Sequence, residues 1–245
     1  WPAGTPAAPA AVEGFRLRVE GSVVWIAGAD ERGALYGVGH LLRQMEWGKG
    51  KVDLPAGLDV TTAPQSPIRG HQLGYRPTAN SYDAWNVAQY EQYIRELALF
   101  GTNSIENIPS QDQRQDPLMK VPRREMNIAI SDICRRYGLD YWLWTPAPSD
   151  LNDQAARAAM LTQMEAMFKE LPALAAIFVP GGDPGHNPPE LVVPFLADIA
   201  KRLTPVHPKA KVWVSLQGFN AEKAEYVYLW LDREKPEWFG GIVAG

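Results

Sequence analysis

The sequence predicts an α/β protein of the (β/α)8 TIM-barrel type, preceded by a small α/β domain. Three observations carry this expectation. From about residue 64 onward, short apolar runs alternate with amphipathic stretches at a spacing of roughly 35 residues, the size of consecutive βα units. Polar and aromatic residues stand at the ends of these runs along the whole stretch instead of gathering at one crevice. Neither G-x-G-x-x-G nor G-x-x-x-x-G-K-[ST] occurs, so a doubly wound nucleotide-binding sheet loses its best sequence support. About six βα strands can be read where a barrel needs eight. The last of them runs almost to Gly245. A barrel truncated at its C-terminus is therefore expected, with a complete six-strand sheet as the alternative.

The first expected domain covers residues 1–63. Trp1 to Ala11, rich in Pro and Ala, reads as a flexible lead-in. Phe15-Arg-Leu-Arg-Val19 alternates apolar and polar residues like a half-buried strand, Glu20-Gly-Ser22 turns, and Val23-Val-Trp-Ile-Ala27 returns. Asp30 suits an N-cap, and Leu35, Val38, Leu41, Leu42 and Met45 recur at helical spacing from Glu31 to about Trp47. Gly48-Lys-Gly50 ends that helix, and Lys51 to Thr62 can supply one further short strand.

Ala63-Pro-Gln-Ser-Pro67 reads as the linker into the second domain, residues 64–245. Its expected strands are Ile68 to Tyr75, Ser104 to Ile108, Asp140 to Thr145, Ala175 to Val179, Val212 to Leu216 and Gly241 to Ala244. Helices are expected between them at Val87 to Phe100, Arg123 to Tyr137, Asp153 to Leu171, Glu190 to Leu203 and Ala221 to Glu234. Gly101, Gly138 and Pro172 follow helices as stop signals.

Composition narrows the partners. With 46% hydrophobic residues, the chain can build a sizeable core. A net charge of −4 and the lack of any basic run speak against nucleic acid. Cys134 is the single cysteine, so no intrachain disulfide can form. No run is long and apolar enough to cross a membrane. Nine Trp and nine Tyr exceed what a core of this size requires, and flat aromatic faces suit the C–H side of sugar rings.

The candidate chemistry centres on Ala175-Ala-Ile-Phe-Val-Pro-Gly-Gly-Asp-Pro-Gly-His186. A buried strand here breaks into a glycine-rich turn that delivers Asp183 and His186 to the carboxyl end of the sheet, where α/β ligands sit. Asp183 is either a site carboxylate or a turn brace. Gln72, Tyr75 and Arg76 follow the first strand, and His71 within it fits a core histidine equally well. Glu106 and Asn107 lie on the second strand. Glu106 has apolar neighbours, which would raise its pKa and suit a general acid; an ion pair with Arg76 is the other reading. On the third strand Trp142 and Trp144 share one face and Tyr141 and Leu143 the other, so one Trp is expected near the mouth and one in the core. Gln217 follows the fifth strand.

Two carboxylates with amides, phenols and indoles are the groups that glycosidic cleavage and sugar binding use. Asp183 and Glu106 are the expected catalytic pair. Tyr75, Arg76, Asn107, His186, Gln217, Gln72 and Tyr141 are the expected ligands of sugar hydroxyls or a carboxylate, and Trp144 the stacking surface. No H-E-x-x-H, Cys/His cluster or G-x-S-x-G occurs, so neither metal nor cofactor is expected and there is no nucleophile elbow.

Val24-Trp-Ile-Ala-Gly-Ala-Asp-Glu-Arg-Gly-Ala-Leu-Tyr-Gly-Val-Gly-His-Leu-Leu-Arg43 resembles the small α/β domain that precedes the barrel in family 20 hexosaminidases and family 67 α-glucuronidases. Ser66-Pro-Ile-Arg-Gly70 is similar to the first strand of their barrel. The resemblance implies a glycoside hydrolase with a carbohydrate substrate, α-glucuronidase-like in its activity, secreted or periplasmic. Family 20 enzymes carry Gly-Gly-Asp-Glu after the fourth barrel strand, with the Glu as acid. Here Gly181-Gly-Asp183 matches and Pro184 stands at the acid position. The acid role would then fall to Asp183 itself, to Glu106, or to a residue beyond the sequence. A sugar-binding protein on a degenerate barrel is the alternative.

Overall fold

The computed structural model describes residues 6–75, 81–108 and 117–243. It begins with a small antiparallel sheet. β1 (Phe15–Glu20) pairs with β2 (Val23–Gly28) and, on its other side, with a later strand, β5 (Asp59–Thr62), giving the order β2-β1-β5. Helix α1 (Glu31–Gln44) starts where Asp30 accepts from the Gly33 amide at 2.8 Å, the expected N-cap bond. Its apolar stripe closes on the sheet: Phe15, Leu17, Tyr36 and Leu41 form a buried cluster flanked by Val24, Ile26, Leu58 and Val60.

The helix stops sooner than its apolar spacing implies. Met45 is already extended, and Glu46–Gly48 forms β3, paired with β4 (Lys51–Asp53) in a hairpin closed at Gly50, whose φ is +73°. Gly48 and Gly50 make that reversal easier than another helical turn, and Trp47 gains no burial there, remaining 69% exposed. The single strand expected over Lys51 to Thr62 is two, β4 and β5, separated by a turn at Gly57.

Strands and α-helices then alternate, with a 3-10 turn at Ser81–Ala84 ahead of the first of these helices. β6 (Gly70–Gly74), α2 (Val87–Leu99), β7 (Ser104–Ile108), α3 (Arg123–Arg136), β8 (Asp140–Trp144), α4 (Gln154–Glu170), β9 (Ala176–Val179), α5 (Pro189–Leu203), β10 (Lys211–Ser215), α6 (Ala221–Glu234) and β11 (Phe239–Val243) follow in turn. The strands line up in sequence order, β11-β10-β9-β8-β7-β6, and the β8–β9, β9–β10 and β10–β11 pairs are parallel. A sheet whose strands follow in sequence order with a helix between each pair has the winding of a barrel and not of a doubly wound sheet. Neighbouring helices α4–α5 and α5–α6 pack on one another. Ile177, Val179, Val212 and Val214 are buried beneath them with Phe168, Phe195 and Leu196. Pro189 stands in the first turn of α5, where a missing N–H costs nothing.

The chain divides into two compact units. The first comprises Trp1–His71, Ala88–Ser104 and Arg136–Leu139; the second comprises Gln72–Val87, Ile105–Arg135 and Asp140–Gly245. The first unit holds a buried charge hub. Glu13 accepts from Arg32 Nη1 at 2.9 Å, from Arg69 Nη2 and from Asn103 Nδ2, while its own amide donates to Asp30. Arg32 and Arg69 also donate to the carbonyls of Gly138 and Gly101. Lead-in, α1 and the first βα unit are thereby tied to one carboxylate.

Candidate functional site

The side chains of the second unit's strands sort into two faces. On β8, Tyr141 is fully buried and donates to Asn127 Oδ1 of α3 at 3.1 Å. On β7, Asn107 also bonds Asn127, and its Oδ1 accepts from the Tyr75 amide at 3.4 Å. The Tyr75 hydroxyl donates to the Val121 carbonyl and accepts from the Val121 amide. Tyr75, Asn107 and Tyr141 therefore lie on the helix side in one buried polar network. A buried phenol or amide must find partners, and α3 and its leading segment supply them. Burial pushes the Tyr75 and Tyr141 hydroxyls up, so both stay neutral. His71 is likewise paired, with Tyr93 of α2 at 3.3 Å.

Alternation sends the intervening residues to the other face of the sheet. Glu106 sits between Ile105 and Asn107, and Gln72 Nε2 donates to Glu106 Oε1 at 3.0 Å, so both share that face. Burial raises the Glu106 carboxyl above its ordinary value, and the Gln72 bond opposes this. Trp142 and Trp144 also point there. Parallel register places Trp144 beside Phe178, and Phe178 beside Trp213. The Trp142 and Trp213 rings meet with centroids 5.0 Å apart, while Trp144 closes β8 at its carboxyl end. Sequence reasoning passed over Trp213. Its signal was the alternation in Val212-Trp-Val-Ser215 together with Gly240-Gly241 on the next strand. A Cβ on Gly241 would lie 2.5 Å from the Trp213 ring, so the glycine makes room for the indole.

At the strand ends, β9 runs into the turn carrying Asp183. Gly181 has φ +58°, and a Cβ there would come within 2.6 Å of the Ser215 carbonyl. Only glycine suits both the conformation and the approach to β10. The Gly182 amide donates to the Gln217 carbonyl at 3.0 Å, and Gln217 Nε2 donates to Asp183 Oδ2 at 2.9 Å. Asp183 is half-buried; His186 is exposed beyond it. Asp183 thus both braces a turn and presents a carboxylate. Asn187 was also missed. Its Oδ1 accepts from the Leu151 amide at 2.8 Å and its Nδ2 donates to the Ala147 and Ser149 carbonyls, stitching the β8–α4 loop to the β9–α5 loop. A single Asn beside Pro188 gives no sequence cue for this role.

The structure thus places Gln72, Glu106 and Trp144 on the sheet face opposite Asn107 and Tyr141, and Asp183 with Gln217 at the strand ends. Arg76 lies outside the described residues. Among the described residues no cluster of His, Cys, Asp and Glu is arranged to hold a metal, and no helix is long and apolar enough to cross a membrane. A groove of about 470 Å3 involves Leu143, Met160 and Met164. Leu143 belongs to the helix-facing side, so this groove is separate from the two carboxylates.

Each carboxylate is gripped by one glutamine amide from a neighbouring strand or its end. No protein-family profile matches the sequence, and no curated protein matches it significantly. Solved structures do. A β-N-acetylhexosaminidase from Bacteroides fragilis NCTC 9343 is 14% identical with a TM-score of 0.67, over 86% of this chain and 55% of that one. The family 20 β-N-acetylhexosaminidase from Streptomyces coelicolor A3(2) is 13% identical with a TM-score of 0.66, over 98% and 62%. A family 138 enzyme targeting pectin rhamnogalacturonan II is 15% identical with a TM-score of 0.64, over 95% and 32%. The chain spans less than two thirds of the length of each. At these identities the likeness is one of fold: the chain has a glycoside-hydrolase fold resembling that of the family 20 group.

Proposed function

We propose that the protein is a glycoside hydrolase that cleaves O-glycosidic bonds in oligo- or polysaccharides by carboxylate acid/base catalysis, with residues 64–245 contributing the catalytic barrel and 1–63 a small preceding domain. The observation that carries this reading is Glu106. It is a carboxyl with a raised pKa on the sheet face shared by Trp142 and Trp144, without a cation bonded to it among the described residues. A carboxyl whose pKa is raised by burial holds its proton to higher pH than a free one and can give it to a leaving glycosidic oxygen. Asp183, anchored through one oxygen by Gln217, is the candidate for the second carboxylate. Trp144, at the carboxyl end of β8, is the surface for ring stacking.

The sugar is the finer question. The sequence resemblance favours an α-glucuronidase-like substrate, for which Arg76 would supply a guanidinium fork. The hexosaminidases among the similar folds favour an N-acetylhexosaminide. Either substrate class fits a protein exported to the periplasm or beyond. The test is sugar release by the full-length protein from aryl glycosides of both classes and from polysaccharides. Release that disappears in Glu106→Gln and Asp183→Asn supports the proposal, and activity untouched by both substitutions refutes the assignment of the pair.

Pro184, standing where the resemblance places an acid, supports a second reading as a sugar-binding protein without turnover. Saturable sugar binding with no release from any substrate would favour it.

A further inference from the structure

Gln72 reaches Glu106 from the adjacent strand β6, and its amide is the side-chain donor recorded for that carboxyl. The donor is neutral, so it orients the carboxyl without cancelling its charge, as a Lys or Arg would. The neighbouring side chains on the same face among the described residues, Trp142 and Trp144, carry no charge. Among the described residues, Tyr141 of β8 interacts electrostatically with Glu106. It points to the helix side, where burial keeps it neutral. His71 of β6 is held on the helix side by Tyr93. With Oε1 taken by the amide, Oε2 is the oxygen with no recorded partner among the described residues.

We infer that Gln72 is the positioning residue of the Glu106 carboxyl, fixing Oε1 and leaving Oε2 as the oxygen that gives up and regains the proton. The reaction itself rests on the hydrolase reading above. In that reaction the Oε2 proton passes to the glycosidic oxygen and the C–O bonding pair leaves with that oxygen. The carboxylate left on Glu106 is held by the Gln72 amide. Water then bonds to the anomeric carbon, and its proton returns to Oε2. An amide donor favours the ionised carboxyl, so Gln72 acts most strongly after the proton has left.

The test follows Glu106 directly in the full-length protein, by 13C NMR of labelled glutamate carboxyls, with its signal assigned through loss in Glu106→Gln. Gln72→Met preserves length and removes the donor; Gln72→Glu replaces it with a like charge. The Glu106 midpoint should rise by about half to one pH unit in Gln72→Met and further in Gln72→Glu. The basic limb of kcat/KM should move up in step, with kcat falling and KM nearly unchanged. A midpoint unmoved in both folded variants overturns the inference. A midpoint that moves in a protein that hydrolyses no glycoside supports the Gln72–Glu106 coupling and removes the hydrolase reading instead.

Discussion

Glu13 sits among Arg32, Arg69 and Asn103, whereas Glu106 is met by one neutral amide. Both are carboxylates drawn at least partly out of water. Burial pushes Glu13 up, but its bonds to Arg32, Arg69 and Asn103 outweigh that and hold it below the usual range. Burial pushes Glu106 up, and among the described residues only Gln72 opposes it. The first arrangement spends charge on cohesion, because an ion pair that joins separate segments needs its carboxylate permanently ionised. The second raises the pKa of a carboxyl on the sheet face opposite Asn107 and Tyr141. Uncompensated burial is destabilising for folding and is therefore a reasonable marker of chemistry.

The sharpest way to separate the two is substitution by the neutral amide. Glu106→Gln should lower kcat by about 10²–10⁴-fold while leaving folding intact, as read from glycoside hydrolysis beside denaturant unfolding. Asp183→Asn should behave similarly. Glu13→Gln should do the reverse. It strands two partly buried guanidiniums, so unfolding free energy should fall by about 2–4 kcal/mol, with turnover per folded molecule unchanged. Equal effects of the two substitutions on stability would erase the distinction.

Asn187→Ala should come next in size. It removes one acceptor and two donor bonds across the loops beside Asp183, and a loss of about 1–3 kcal/mol is expected in urea unfolding. Asp183 moves with its turn, so kcat should fall as well.

The smallest effect, and the finest test, is in pH. Glu13 has a depressed folded pKa. Its contribution is present above the unfolded carboxylate value and is lost as pH falls through the lower folded one. Glu106 has a raised folded pKa. Between the unfolded and folded values the native state binds more protons, so stability decreases as pH rises through that window. Glu13→Gln should therefore be most harmful near neutrality and converge on the parent in acid. Glu106→Gln should be slightly more stable than the parent near neutrality and also converge in acid. Stability curves against pH that run parallel for all three proteins would contradict both assignments.

How legible the site was depended on the distance over which each feature acts. The pairing of Trp142 with Trp144, and of Tyr141 with Leu143, is visible in five consecutive residues, because strand alternation is a local rule. The turn at Gly181–Asp183 was legible for the same reason. Tyr75, Asn107 and Tyr141 invited a substrate-binding role by their chemistry alone. Their burial with Asn127 and Val121 depends on which strands lie beneath α3. Trp213 and Asn187 drew no notice, since one owes its place to a facing Gly-Gly and the other to backbone carbonyls about 40 residues away.

The sequence by itself determined the alternation of strand and helix, the small sheet-and-helix start, the caps and stops, and the choice of a barrel-type winding over a nucleotide fold. These follow from hydrophobic period and turn chemistry, which are written along the chain. Tertiary structure decided which face each polar residue took. It also decided that Gln72 holds Glu106 and Gln217 holds Asp183, and that Glu13 is neutralised while Glu106 is not. A carboxyl's pKa is set by the water it loses and the donors it meets. Those donors come from strands and helices that are neighbours only once the sheet has formed.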